Sequence, residues 1–363
     1  MISRDPIALI REKLSKNDLD AALLNTSEIT RSVNLRYLSG FSGSDATILI
    51  TSDQLRLFTD GRYKVQSRDE CENFRIHVSR DKIASIGKVI RSLGIKRLGI
   101  EGSRVSYDFM NFLQKKITEV EIVSLGRQGL ESLRIIKDPT EVEAIRKAAG
   151  IASAACLKLL DSRVSGKSEI ELAGRLELNF TELGASGESF STIVASGPRS
   201  ALPHGRPTGK KVEPNELVII DYGCMVSGYC SDETVTCIVG SPDPEQLKIY
   251  QVVSDAHDKA IDCLSPGMRA NQVDLVARQT ISDAGWGKYF LHSLGHGIGL
   301  EVHEAPFLSP KSNVVLEEGM VFTIEPGVYI QGLGGVRLES LVHMSSSGPE
   351  VLSKAPKTLI HVD

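Results

Sequence analysis

The chain has 363 residues, 41% of them hydrophobic and 24% charged, a globular composition long enough for two domains. Its 42 Lys and Arg against 46 Asp and Glu leave a net charge of −4 with no block of like charge, which argues against a nucleic-acid binder held by a basic face. No apolar run approaches the roughly 18–20 residues that span a bilayer, so no membrane association is expected. Residues 1–24 interleave Arg, Lys and Asp with apolar positions and lack the layout of a secretion signal. The expected location is therefore the cytoplasm. The cysteines at 71, 156, 224, 230, 237 and 263 form no CxxC pair. They read as reduced thiols and small buried hydrophobes, a reading preferred over a thiolate-metal role for Cys224 and Cys230.

The first third alternates short apolar runs with helical patterns. Residues 20–24 read as a buried strand, 46–51 and 55–59 as a hairpin around Ser52-Asp53-Gln54, and 97–101 as a further strand. Helical patterns cover about 83–93 and 107–117. This α/β unit ends near 125–130 and holds no chemical motif by spacing alone. A boundary follows, because Asp138, Pro139 and Glu141 occupy N-cap, N1 and N3 of a strong helix start. Val142, Ile145, Ala149, Ala152, Cys156 and Leu159 continue it as one buried stripe. A second helix is expected over 169–183, a Gly/Ser/Pro-rich loop over 184–207, and helices at about 244–263 and 270–284, with hairpins between.

One internal echo carries the chemistry. The run 216–223, ending Asp221-Tyr222-Gly223, resembles 320–327, ending Glu325-Pro326-Gly327. Each is an apolar strand closed by a carboxylate, and each is followed past a Gly-containing turn by a second one, Asp232 and Glu339, 11 and 14 residues on. This reads as two related halves facing each other. With Ser227-Gly228 at the centre of the first turn, 221 pairs with 234 and 223 with 232. Asp221 and Asp232 then become diagonal neighbours about 7–8 Å apart at the backbone. Glu325 and Glu339 lie opposite each other around a turn near Gly332. Four carboxylates converging in one interior repel and cannot all stay ionised unless a divalent cation joins them.

His296 is the fifth member, flanked by Gly295, Gly297 and Gly299 in a stretch that also holds His292 and His303. An imidazole with four carboxylates suits two ions sharing bridging oxygens. Mn²⁺ is expected, with Co²⁺ or Zn²⁺ as alternatives. Such a pair, about 3.5–4 Å apart, activates water and steadies an oxyanion.

The order Asp221, Asp232, His296, Glu325, Glu339, with contexts IDYG, SDET, GHGIG, TIEPG and VRLE, resembles the ligand set of the pita-bread metallopeptidases, in particular the Xaa-Pro aminopeptidase and Xaa-Pro dipeptidase (prolidase) branch. The likeness extends to the N-terminal third through NLRYLSGFSG at 34–43 and FTDGRY at 58–63. It implies an α+β protein: an N-terminal creatinase-like α/β domain over 1–130, then a pseudo-two-fold pita-bread domain over 131–363 with a dinuclear site. It also implies a metallo-exopeptidase that cuts between an N-terminal residue and a following proline. Most peptidases fail there because the proline nitrogen has no hydrogen and the ring restricts the backbone.

The resemblance further implies that Asp221, Asp232 and Glu339 hold one ion and that Asp232, His296, Glu325 and Glu339 hold the other. Glu325 would take a proton from the attacking water and pass it toward the leaving nitrogen. His204 and His303 would bind the substrate backbone and stabilise the tetrahedral intermediate. His292, Tyr329 and Arg337 would line a proline pocket, Arg337 being able to capture a carboxylate. Other readings are that His204 and His303 are satisfied core histidines, that Arg337 merely neutralises Glu339 and that Tyr329 is strand packing. His77, His257, His343 and His361 read as structural. The aminopeptidase is the leading reading and the dipeptidase the alternative. Methionine aminopeptidase, which lacks the first domain, and creatinase, which lacks these ligands, fit less well, as does an inactive binding protein, which would have lost ligands. A homodimer is implied, with segment 36–45 or 60–63 of one copy closing the other's cleft.

Overall fold

Asp5 opens the first helix, Pro6–Lys16, by accepting a hydrogen bond from the Ile7 amide, with Pro6 in the first turn where its missing N–H costs nothing. The computed structural model describes residues 5–363. It forms one unit ending at Arg134 and another running from Ile135 to Asp363.

The first unit is built on a six-stranded sheet in the order Arg75–Val78, Leu55–Thr59, Ala46–Thr51, Ala21–Thr26, Arg97–Ile100, Glu121–Ser124. Ala21–Thr26 runs antiparallel to Ala46–Thr51 and parallel to Arg97–Ile100. Successive side chains point to opposite faces, so Ala22, Leu24, Ile48 and Ile50 join one apolar cluster while Ala21, Leu23 and Leu49 join another. Helices Lys82–Ser92 and Tyr107–Gln114 stand where helical periodicity is strongest. The edge strands Arg75–Val78 and Glu121–Ser124 escaped the sequence reading. Each has four residues, and neither holds a fully buried one, so the hydrophobic signal was weak.

The second unit repeats one arrangement twice. Asp138 and Ser168 close capping boxes on helices Pro139–Leu160 and Glu169–Glu182. Both helices pack on the sheet Ile360–Val362, Glu233–Val239, Leu217–Tyr222, Ile193–Ser196. Asp243 caps Pro244–Asp262, and this helix packs with Ala270–Asp283 against the sheet Glu304–Leu308, Gly295–Gly297, Val321–Ile324, Ser340–Ser345, Gly348–Val351. Each fully buried Leu, Ile or Phe in these layers contributes about 1.5–3 kcal/mol. The two-layer repeat brings the echoing strands into paired positions.

The stretch 184–207 was expected as loop. It instead contains the strand Ile193–Ser196, paired with Leu217–Tyr222, and a 3-10 turn at Gly197–Ala201. Four residues inside Gly- and Ser-rich flanks show no periodicity, and only the neighbouring strand makes them extended. Among the described residues no helix is long and apolar enough to cross a membrane.

Candidate metal centre

Two hairpins position the acids. Ser227 and Gly228 both take positive φ, 53° and 84°, the requirement of a tight turn that matches strand twist. Val226↔Tyr229 and Met225↔Cys230 next to the turn, and Tyr222↔Glu233 and Asp221↔Thr234 in the sheet beyond it, keep one common register, so 221 pairs with 234 as the turn predicts. In the second half, Ile324↔Ser340 on one side and Gly327↔Arg337 on the other keep a common register, so Glu325 and Glu339 lie opposite each other between them. Gly295 and Gly297 bracket His296 because there is no room for more: a Cβ at either would strike a backbone carbonyl, Thr323 and Ala305 respectively.

Among the described residues, one group of acid and imidazole side chains has the spacing of a metal site. Asp232, His296 and Glu339 offer donor atoms that all lie within 4.8 Å of one another. Glu325 joins them through Oε1, 3.4 Å from His296 Nε2, while Asp232 Oδ2 stands 3.5 Å from the same nitrogen. Asp221 is 9% exposed, at the edge of the cluster, and its Oδ2 accepts from Arg337 Nη2 at 2.6 Å. Two threonines orient acids. Thr234 Oγ1 donates to Glu339 Oε2 at 2.7 Å, and Thr323 Oγ1 donates to Glu325 Oε1 at 3.3 Å. The sequence reading missed both. Each stands two residues from a ligand candidate, on the same strand face, and that periodicity would have found them.

The electrostatics are those of acids packed closely together with few partners. Burial first, then the carboxylates of Glu339, Asp221 and Glu325, push the Asp232 pKa well above the ordinary range. Burial and Glu339 do the same to Glu325. Burial and Asp221 raise Glu339 to about 8. Asp221 Oδ1, Asp232 Oδ1 and Glu339 Oε1 are buried with no hydrogen-bond partner, an expensive condition for oxygens that could otherwise accept. The imidazole completes the donor set. His296 Nδ1 faces the Gly297 carbonyl at 3.1 Å and so carries the hydrogen, leaving the Nε2 lone pair toward the acids. Burial, then neighbouring His303, hold His296 neutral, with a pKa near 3. Carboxylate oxygens plus a neutral imidazole are the donors hard-to-borderline divalent cations take.

The cluster lies in the wall of a cleft of about 290 Å³ that is also lined by His204, His292, His303, Phe190, Ile193, Phe307 and Arg337. His303 stacks obliquely on His296, ring centroids 4.3 Å apart. Of the three residues expected around a proline, His292 borders the cleft, its pKa depressed to about 4 by burial and Arg337. Tyr329 sits behind it, 3% exposed, hydrogen-bonded to His292 Nε2 at 2.9 Å. Arg337 is 3% exposed and spends its donors inward, on Thr234, Pro203, Tyr329 and Asp221. Phe190, Ile193 and Phe307 were not singled out from the sequence, where an apolar residue lining a cleft looks like any core residue. His257 bonds Ser340 and Asp258, His343 bonds Glu350, and neither they nor His77 and His361 border the cleft. All six cysteines are free. Burial raises Cys224 and Cys230 to about 11 and 12, and neither borders the cleft, so they are not placed as thiolate ligands.

Comparison with known proteins bears directly on this centre. Residues 143–346 match the model of metallopeptidase family M24. Residues 6–136 match the creatinase/prolidase N-terminal domain. The chain is 38% identical over 361 residues to the Xaa-Pro dipeptidase of Pyrococcus horikoshii, covering 99% of both proteins. Among solved structures it is similar to an Xaa-Pro dipeptidase from Bacillus anthracis (TM-score 0.94, 37% identity, 98% of this chain and 99% of that one). It is also similar to an X-Pro aminopeptidase from Thermotoga maritima (TM-score 0.91, 35% identity, 96% and 100%).

Proposed function

The chain belongs to metallopeptidase family M24, and from that premise we propose that it is an Xaa-Pro aminopeptidase, releasing the N-terminal residue from peptides with proline in second position. The observation that carries this choice is the commitment of Arg337. It is the one Arg or Lys bordering the cleft among the described residues, and every guanidinium nitrogen already donates to a protein oxygen. The proline carboxylate of a dipeptide would meet no uncommitted guanidinium or ammonium group along the cleft lining, an unfavourable burial of charge. A longer peptide carries that charge one residue further out. Kinship with proteins named Xaa-Pro dipeptidase supports a second reading, prolidase activity. The test is hydrolysis of Leu-Pro, Leu-Pro-amide and Leu-Pro-Ala by Mn²⁺-loaded protein. Faster turnover of the amide and the tripeptide is expected, and cleavage of Leu-Pro alone establishes the second reading instead.

In this proposal Asp221, Asp232, His296, Glu325 and Glu339 would hold two divalent cations, Mn²⁺ by the hardness of the donors. When bound, the ions supply Lewis acidity, favouring hydroxide over water and offsetting negative charge on the scissile carbonyl oxygen. Glu325, its Oε1 3.4 Å from His296 Nε2 at the mouth of the acid cluster, takes a proton from the attacking water. The water oxygen bonds to the carbonyl carbon, the C–N bond breaks, and the proton passes to the proline nitrogen, which leaves as a secondary amine. His204 and His303 bind the substrate backbone from the open side of the cleft, and His292 packs on the proline ring with Tyr329 and Arg337 behind it. The working form is a cytoplasmic homodimer in which segment 36–45 or 60–63 of one copy closes the other's cleft. An active monomer on gel filtration would contradict it.

A further inference from the structure

Outside the metal centre, the buried acid Glu169 gathers five donors. It is 0% exposed in the first turn of the helix Glu169–Glu182. The Ser196 amide and hydroxyl reach Oε1 at 2.9 and 3.0 Å. The Thr208 amide and hydroxyl reach Oε2 at 3.0 and 2.7 Å. Arg199 Nε spans both oxygens at 3.2 and 3.0 Å. Burial alone would raise the carboxyl pKa, but the bonds from Thr208 and Ser196 outweigh it and hold it below the ordinary range.

The donors are not scattered. Ser196 ends a strand, Thr208 lies twelve positions on, and between them the chain carries Pro203 and His204 to the cleft wall. Arg199 draws the return limb in by donating Nη2 to the Arg206 carbonyl at 2.6 Å. One carboxylate thus grips both limbs of the segment that presents His204. At its apex the segment is tied to the metal-centre side by Arg337 Nη1 donating to the Pro203 carbonyl at 3.1 Å.

We propose that Glu169, acting through Arg199 and Thr208, is a positioning residue that sets the place of His204 over the cleft. The inference rests on the reading of His204 as a group that touches substrate. Glu169 itself touches neither substrate nor the acids of the centre. Its loss would move an imidazole, and a shift of about 1 Å in such a group can cost on the order of 100-fold in rate.

The experiment is a double-mutant cycle in the full-length Mn²⁺-loaded enzyme, using Glu169→Gln, His204→Ala and the pair. Glu169→Gln should lower kcat about 10- to 100-fold with little change in KM and unchanged Mn²⁺ uptake by calorimetry. In the His204→Ala background the same change should cost less than about 2-fold, because no imidazole remains to be misplaced. Thr208→Val, which leaves the carboxylate paired with Arg199, should give a smaller kcat loss that also vanishes without His204, and it serves where Glu169→Gln fails to fold. An equal loss in both backgrounds, or wild-type kcat in the Glu169 and Thr208 variants, overturns the proposal while leaving the role of His204 standing. A fully active His204→Ala protein overturns that role and the positioning inference together.

Discussion

The Glu169 pocket and the acid cluster bury carboxylates in the same unit, yet they solve the problem in opposite ways. Glu169 is met by hydroxyls, amides and a guanidinium, and it ionises more readily than an exposed acid. Asp232 and Glu339 are met mainly by each other and by further acids; each keeps a buried oxygen with no hydrogen-bond partner, and both resist ionisation. A buried acid with its donors supplied is a structural clamp. Buried acids with donors withheld and lone pairs converging are a socket for positive charge.

The sharpest break in this comparison would come from the metal. Chelation with EDTA should abolish peptidase activity, and Mn²⁺ titrated back by calorimetry should bind at two ions per chain. Uptake of none would remove the distinction between socket and clamp. Glu325→Gln should retain part of the Mn²⁺ binding and lose about 10²–10⁴-fold in kcat, and surviving turnover would reassign the proton-handling group.

The next effect is one of sign. In metal-free protein, Asp232→Asn relieves the crowding of acids around this position and should raise the melting temperature. Glu169→Gln, which leaves donors unsatisfied, should lower it at a cost of about 1–3 kcal/mol. Melting curves of both after EDTA treatment decide it, and two shifts of the same sign would contradict the comparison.

A pH series sharpens it further. Groups whose folded pKa is raised, as for Asp232, Glu325 and Glu339, contribute stability that is present below the unfolded value and lost as pH rises through the folded one. Metal-free protein should therefore melt progressively lower from roughly pH 4.5 up through about 8, where Glu339 titrates. Mn²⁺-loaded protein should show a much flatter profile. Scanning fluorimetry with and without EDTA is sufficient. The smallest effect belongs to the exposed Lys158–Glu182 pair, 2.6 Å apart. Glu182→Gln should leave the melting temperature close to that of the wild type, a control for the larger shifts.

The long capped helices were legible in advance. Asp138, Ser168 and Asp243 each sit three residues before a Glu or Gln, and the structure forms a capping box at all three. The hairpin at Ser227-Gly228 was legible because its turn residues fix the register, and with it the approach of Asp221 to Asp232. The strand Ile193–Ser196, the lining by Phe190 and Phe307, and the clamp on Glu169 were not. Their partners lie far along the chain, and no periodicity encodes a contact between residue 169 and residue 208.

The sequence alone determined which residues could carry the chemistry: acids closing like strands, a histidine between glycines, turns that set the pairing. Those are local facts, governed by backbone sterics and side-chain alternation. Tertiary structure decided where each group's hydrogen bonds go. It turned Arg337 inward to Asp221, Tyr329 and Pro203, supplied Glu169 with five donors, and left Asp232 and Glu339 each with a bare oxygen in the cleft wall. Desolvation and partner count depend on what the folded chain brings within about 3 Å, and a residue's neighbours in sequence do not contain that information.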